Sequence, residues 1–123
     1  LKPLLNHPLK SGEYGNIKVY RIIGIDEAKI PGGDGFELLL SEANPGGGFR
    51  SFRRPEKEVL ICYKGIWKVD WGGNGIKGTF LLNAGDIFSI PRQYARSIKC
   101  IGKKDGALYS IVNKNRPTIP NWN

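Results

Sequence analysis

The sequence predicts an all-β domain of the barrel or sandwich type. Helical periodicity is almost absent, while short runs of alternating apolar and polar residues recur between clusters of Gly, Pro, Asn and Asp. A chain of 123 residues can bury one core but is too short for two independent cores. We therefore expect a single domain over residues 1–123, with an N-terminal arm at residues 1–16 and a C-terminal tail at residues 114–123.

Nine strands are expected in order, each bounded by turn-forming residues. They are Ile17–Ile23, Phe36–Glu42, Phe49–Arg53, Glu58–Lys64, Ile66–Trp71, Gly78–Leu82, Ile87–Ile90, Arg96–Ile101 and Leu108–Asn113. Trp67, Val69 and Trp71 alternate with polar residues, so the fifth strand should bury one face and expose the other. The two prolines of the tail predict that it runs extended against the barrel or a neighbour. Glycine-rich turns are expected at residues 31–35, 44–48, 72–75 and 103–106.

The charge of the chain favours anionic partners. Lys and Arg number 19 against 11 Asp and Glu, a net charge of +8 that attracts anions over long range. The basic residues are scattered, with no run of four, and no helix-turn-helix, zinc-finger or RNA-recognition pattern is present. We therefore do not expect nucleic acid as a partner. The apolar stretches are strand-sized, so no membrane crossing is expected either.

The two cysteines, Cys62 and Cys100, permit one disulfide but do not require it. No apolar secretory signal is visible at the start of the sequence, so we expect reduced, buried thiols and a cytoplasmic location. Neither cysteine has a neighbouring His that would make it a thiolate nucleophile. The sequence also lacks a serine nucleophile elbow and a phosphate-binding loop.

Two blocks of spaced residues carry a resemblance to a known family. The first block contains Gly46, Phe52, Arg54, Glu58 and Gly65, and the second contains Gly85, Pro91, Gln93, Arg96 and Cys100. Their spacing resembles the two consensus blocks of the cupin superfamily, and the resemblance extends over residues 46–113. It implies a double-stranded β-helix, or jelly-roll barrel, of two facing sheets. Many cupins form homodimers, so the resemblance also implies a homodimer.

The resemblance invites a metal site that this sequence does not keep. The three family histidines are replaced by Phe52, Arg54 and Arg96, and only the glutamate, Glu58, is retained. Arginine stays protonated and offers no lone pair to a metal, whereas His and carboxylate ligands do. The single histidine, His7, lies in the expected N-terminal arm. We therefore expect neither a metal nor another cofactor.

Arg96 is the main candidate for a site residue. It alternates with Ile98 and Cys100 on one face of its strand, so its guanidinium should point into the barrel. A buried guanidinium must be paired, and Glu58 is the expected partner. Two interpretations stay open. Either the pair plugs the barrel, or Arg96 binds a carboxylate or phosphate on a small ligand.

Four further residues are candidates for the ligand site. Arg50, Phe52 and Arg54 alternate along the strand that carries the metal ligands in the family, which places both arginines on the same face. Tyr63 is a candidate donor of a hydroxyl group. The opposing interpretation is that Arg54 and its basic neighbours are solvated charges at the rim of the barrel.

Two classes of function follow. In the first, the domain is a metal-free barrel that binds a small anionic molecule. In the second, it is a cupin enzyme of the isomerase, epimerase, cyclase or dioxygenase type that acts on a small carboxylate or sugar-like substrate, with Glu58 as the catalytic base. The chain is also compatible with being one barrel of a two-barrel protein.

Overall fold

The computed structural model describes residues 13–24, 30–31, 35–113 and 121–122. This part of the chain is all-β, as the sequence predicts, and it holds no helix that could span a membrane. The predicted arm up to residue 12 and the tail at residues 114–120 lie outside it. The strands are β1 (Glu13–Gly24), β2 (Ile30–Pro31), β3 (Glu37–Arg53), β4 (Glu58–Lys64), β5 (Trp67–Gly73), β6 (Ile76–Leu82), β7 (Ile87–Ile90), β8 (Ala95–Cys100), β9 (Gly106–Val112) and β10 (Asn121–Trp122).

A largely antiparallel sheet curls into a nearly closed barrel, which is the predicted jelly roll. The strand order is β6-β5-β8-β3-β9-β4-β7, so β6 and β7 are its two ends. The first half of β3 pairs with β9 and the second half with β8, so β3 belongs to both halves of the barrel. β1 also pairs with β3, and β10 pairs with the end of β3.

The turn predicted at residues 44–48 is wrong, because these residues lie within β3. The chain continues through the glycines as one strand of 17 residues instead of two strands joined by a turn. Gly46 has a φ of 91°, which few residues other than glycine adopt readily. A Cβ atom on Gly48 would lie 2.0 Å from the carbonyl oxygen of Ile98. The glycines therefore allow a bend at which β3 passes closely by β8 and crosses from one half of the barrel to the other.

One end of the barrel interior is filled by apolar side chains. Trp67 lies beside Cys100 and Leu82 in the pairing register, and Cys62 lies beside Leu108. All five are at most 3% exposed. We call these five residues the apolar layer. The buried face predicted for the fifth strand is thus present at Trp67.

The other end of the interior carries charged and aromatic side chains. Phe52 and Trp71 are the pairing neighbours of Arg96 on its two sides. Together with Arg54 and Glu58, these three residues form what we call the charged layer. A middle layer of apolar residues separates it from the apolar layer and contains Leu60, Val69, Phe88 and Ile98.

Candidate functional site

Arg96 and Glu58 face each other inside the barrel. Alternate residues of β8 are buried, and the Arg96 side chain has no exposed surface. Glu58 begins β4 on the same interior side, and its side chain is 3% exposed. Nη1 of Arg96 lies 3.6 Å from Oε1 of Glu58. The structure therefore brings these two sequence candidates together as a buried ion pair.

Arg54 approaches Glu58 from the other side. Its Nε atom lies 3.7 Å from Oε2 of Glu58, and its side chain is 11% exposed, so it is nearer to solvent than Arg96. Both guanidinium groups lie near the ring of Phe52, with their central carbons 5.5 Å and 5.2 Å from the ring centroid for Arg54 and Arg96. Arg54, Glu58 and Arg96 thus form one triad beside an aromatic ring that attracts cations.

The hydrogen bonding of this triad is incomplete at Arg96. The distance of 3.6 Å to Glu58 is an ion-pair distance but too long for a hydrogen bond. All three guanidinium nitrogens of Arg96, and Oε1 of Glu58, are buried without a hydrogen-bond partner in the described part of the chain. Buried donors without acceptors cost about 1–3 kcal/mol each. The guanidinium donors of Arg96 are therefore not satisfied by the described residues.

Two buried carboxylates near this end were not among the sequence candidates. Glu56 is 1% exposed in the segment between β3 and β4, and Glu37 pairs with Arg21 of β1. Burial lowers the pKa of Arg96, whereas the charges of Glu58 and Glu56 raise it. A guanidinium starts from so high a pKa that Arg96 remains a cation at neutral pH. Glu56 follows a proline outside any strand, so no alternation pattern could have identified it.

The structure does not place Arg50 and Tyr63 with the triad. A bulge in β3 sets Phe49 opposite Ile98 and Phe52 opposite Arg96, so Phe49 takes the inward position expected for Arg50. Arg50 is exposed. Tyr63 is 64% exposed and packs edge-to-face on Tyr109, with ring centroids 5.9 Å apart, whereas its neighbour Cys62 is buried. The predicted alternation therefore holds for Phe52 but not for Arg50.

Trp71 and Tyr94 add an aromatic wall that sequence reasoning did not select. The two rings are stacked with centroids 5.9 Å apart and planes 18° apart. Nε1 of Trp71 is buried without a hydrogen-bond partner in the chain as described. Trp71 is the pairing neighbour of Arg96, so this indole N–H is a second available donor in the charged layer.

The cysteines are structural. Cys62 and Cys100 are free and buried in the apolar layer. Burial raises the pKa of both thiols, and the neighbouring charge of Asp86 adds to the effect at Cys62. Both therefore remain protonated at neutral pH, which makes them poor nucleophiles.

The donor set of the charged layer does not fit a metal ion. Its charged groups are two guanidiniums and one carboxylate, and a guanidinium repels a cation and offers no lone pair. No group of three His, Cys, Asp or Glu side chains suited to a metal occurs among the described residues. His7 lies outside them. We therefore assign no chemical step at this site to a metal ion.

A separate concavity of about 430 Å³ lies beside the first half of β1 and the middle of β3. Its charged lining combines Lys18 and Lys64 with Glu42 and Asp105. The two signs balance, so this concavity has no electrostatic preference for an anion. It contains no residue of the charged layer.

No sequence-family model matches the chain, and no curated protein matches it in sequence. Solved structures match it in fold. An oxalate decarboxylase from Lactobacillus farciminis, solved as a formate complex, has a TM-score of 0.76 at 22% identity over 89% of this chain and 32% of its own. An oxalate oxidase in complex with the substrate analogue glycolate has a TM-score of 0.76 at 22% identity. The match covers 94% of this chain and 61% of the oxidase chain.

An oxalate decarboxylase from Bacillus subtilis, studied for its Mn(II) centres, has a TM-score of 0.75 at 15% identity over 99% of this chain and 30% of its own. The present chain spans less than two thirds of each of these three proteins. At such identities the likeness establishes the fold. Together with the strand order, it shows that this chain folds as a cupin-type jelly-roll barrel.

Proposed function

We propose that the barrel binds a small anionic molecule whose charged group is held by Arg96 and Arg54. The main observation behind this proposal is the environment of the Arg96 guanidinium. Its side chain has no exposed surface, and none of its guanidinium nitrogens has a hydrogen-bond partner in the described residues. A carboxylate matches the planar guanidinium fork with two parallel hydrogen bonds. A bound carboxylate would therefore supply the acceptors that Glu58, at 3.6 Å, does not.

The charges of the site favour a singly charged ligand. The triad of Arg54, Glu58 and Arg96 has one positive charge in excess, which a monoanion balances. With the buried Glu56, whose charge also acts on Arg96, two carboxylates already face the two guanidiniums, so the site has no cation to spare for a dianion. A second negative charge on the ligand would be buried without a cation of its own, which is costly.

The structural neighbours suggest the first ligands to test. They include an oxalate decarboxylase solved with formate and an oxalate oxidase solved with glycolate. Both small molecules are monocarboxylates, whereas oxalate, for which both enzymes are named, has two carboxylates. The charge of the triad favours the monocarboxylates as first probes. We therefore infer that formate, acetate and glycolate are suitable probes, and that this barrel holds them without a metal.

Isothermal titration calorimetry with these three carboxylates tests the proposal on the full chain. Arg96→Met should weaken binding about tenfold or more, since it removes a charge-assisted contact in a buried site. Arg50→Met is the matched control, because Arg50 is an exposed arginine outside the charged layer, and it should leave the affinity unchanged. A folded Arg96→Met protein that binds like the wild type would contradict the proposal. A wild type that binds no anion would favour the plugged barrel.

The enzyme alternative assigns Glu58 as a base. Its Oε1 atom is buried without a hydrogen-bond partner in the described chain, so it could accept a proton from a ligand seated at Arg96. In this alternative, Glu58→Gln abolishes turnover of a substrate but leaves its binding nearly intact. Equal loss of binding and turnover would argue against a base at this position.

We also propose a homodimer formed through the outer face of β4 and β7. Tyr63 and Ile87 are 64% and 66% exposed, and Ile61, the pairing neighbour of Ile87, lies between β7 and Tyr109. In a twofold dimer the same apolar patch on each copy covers the other. Light scattering coupled to size-exclusion chromatography should show a dimeric wild type and a monomeric Ile87→Lys variant. A monomeric wild type at high concentration would rule out this interface.

A further inference from the structure

The barrel wall has a seam between β6 and β7. These strands are the two ends of the strand order and are not hydrogen-bonded to each other. The inward-facing rings of Phe80 on β6 and Phe88 on β7 meet there, with centroids 4.4 Å apart. Aromatic packing rather than backbone pairing therefore closes this side of the barrel.

The seam exposes apolar side chains that belong to the inner face. Phe80 is the pairing neighbour of Val69, which is fully buried, yet Phe80 is 45% exposed. Ile76 lies on the same face by alternation and is 56% exposed. Further along this face, Leu82 is only 3% exposed. The seam is thus closed at the apolar layer and open toward the charged layer.

A row of residues links the seam to the guanidinium group of Arg96. Trp71 pairs with Arg96 on one side and with Gly78 on the other. Gly78 lets the indole lie directly against β6, because a Cβ atom there would be only 2.9 Å from Trp71 Cζ2. The row Arg96–Trp71–Gly78 spans two inter-strand spacings, about 10 Å. It therefore runs from the buried cation, past the indole ring, to the edge strand β6 at the seam.

We propose that the ligand is an amphipathic monocarboxylate with a flat apolar group. Its carboxylate binds Arg96, and its apolar group lies along Trp71 and reaches Phe80 and Phe88 at the seam. The inference rests on the proposed function, because it requires the anion site at Arg96. A ligand of this class uses both ends of the row. Its carboxylate meets the Arg96 guanidinium, whose nitrogens lack hydrogen-bond partners among the described residues, and its ring covers the exposed ring of Phe80. The indole N–H of Trp71 would serve a hydroxyl or carbonyl group between the two ends.

The test compares the affinities of acetate, benzoate and 3-phenylpropanoate for the full chain by isothermal titration calorimetry. We expect 3-phenylpropanoate to bind about tenfold or more tightly than acetate, because it buries its ring at the seam. Phe80→Ala should remove most of this gain and leave acetate binding unchanged. Leu81→Ala is the matched control, since Leu81 is 55% exposed on the outer face of the same strand and should change neither affinity.

The outcomes separate this inference from the proposed function. Equal affinities for acetate and 3-phenylpropanoate, both weakened by Arg96→Met, would overturn the inference and leave the anion site standing. Binding of 3-phenylpropanoate that depends on Phe80 but not on Arg96 would overturn both, because the carboxylate would then have no role. Failure of all three carboxylates to bind would also overturn both.

Discussion

The two ends of the barrel interior are filled by opposite kinds of side chain. In the apolar layer, Trp67 is fully buried, and its indole N–H donates to the carbonyl oxygen of Lys64 at 3.2 Å. In the charged layer, Arg96 is equally buried, yet its guanidinium nitrogens have no hydrogen-bond partner among the described residues. The apolar layer therefore satisfies its polar atoms, whereas the charged layer leaves some of them available.

This difference assigns stability to one end and binding to the other. Burial of large apolar side chains is the main source of folding free energy. Buried ion pairs contribute little net stability, because the loss of hydration offsets their attraction. A group that costs stability and leaves donors unpaired is typical of a functional site. Substitutions that change one end at a time test this division.

The largest effect is expected from Trp67→Ala in the apolar layer. It removes a fully buried ring and its hydrogen bond, so the free energy of unfolding should fall by about 3–5 kcal/mol. Trp71→Ala is the comparison in the charged layer. Trp71 is partly exposed and lies at the open end, so its removal should cost clearly less. Urea unfolding followed by circular dichroism measures both, and a greater loss for Trp71 would reverse the division.

A somewhat smaller loss is expected from Glu58→Gln. The substitution leaves Arg54 and Arg96 without the carboxylate between them, and breaking a buried pair in this way costs about 3 kcal/mol. Glu42→Gln, on the exposed face of β3, is the control and should change stability by less than about 0.5 kcal/mol. If Glu58→Gln has no larger effect than this control, Glu56 rather than Glu58 balances the two guanidiniums.

Sequence patterns predicted the parts of this site that follow from local alternation. The inward direction of Arg96 and its pairing with Glu58 required only that β8 and β4 be regular strands lining one barrel. The cupin-like spacing of the two sequence blocks predicted which strands face each other across the barrel. These two features depend on residues within a single strand and on a common fold, so they are readable from the chain.

The features that the sequence did not show depend on contacts between distant segments. The bulge that turns Arg50 outward exists only because β3 pairs with β8. Likewise, the glycines at residues 46–48 carry the same local signal whether they make a turn or a bend. The bend forms because Gly48 lies close to Ile98, which is 50 residues away in the sequence. Non-local pairing thus sets the remaining geometry.

The smallest stability effect is expected from Arg96→Met, and it decides between the two interpretations of the buried pair. The substitution replaces a desolvated guanidinium by an apolar side chain and leaves Arg54 and Glu58 paired one to one. The unfolding free energy should therefore change by less than about 1 kcal/mol or rise, since the desolvation cost of Arg96 is removed while Glu58 keeps Arg54 as its cation. If Arg96 instead plugs the barrel as a structural element, its loss should cost about as much as Glu58→Gln. Urea unfolding of Arg96→Met, together with a carboxylate titration of the same variant, separates the two interpretations. If Arg96 binds a ligand, the variant loses affinity for the carboxylate while the barrel stays stable.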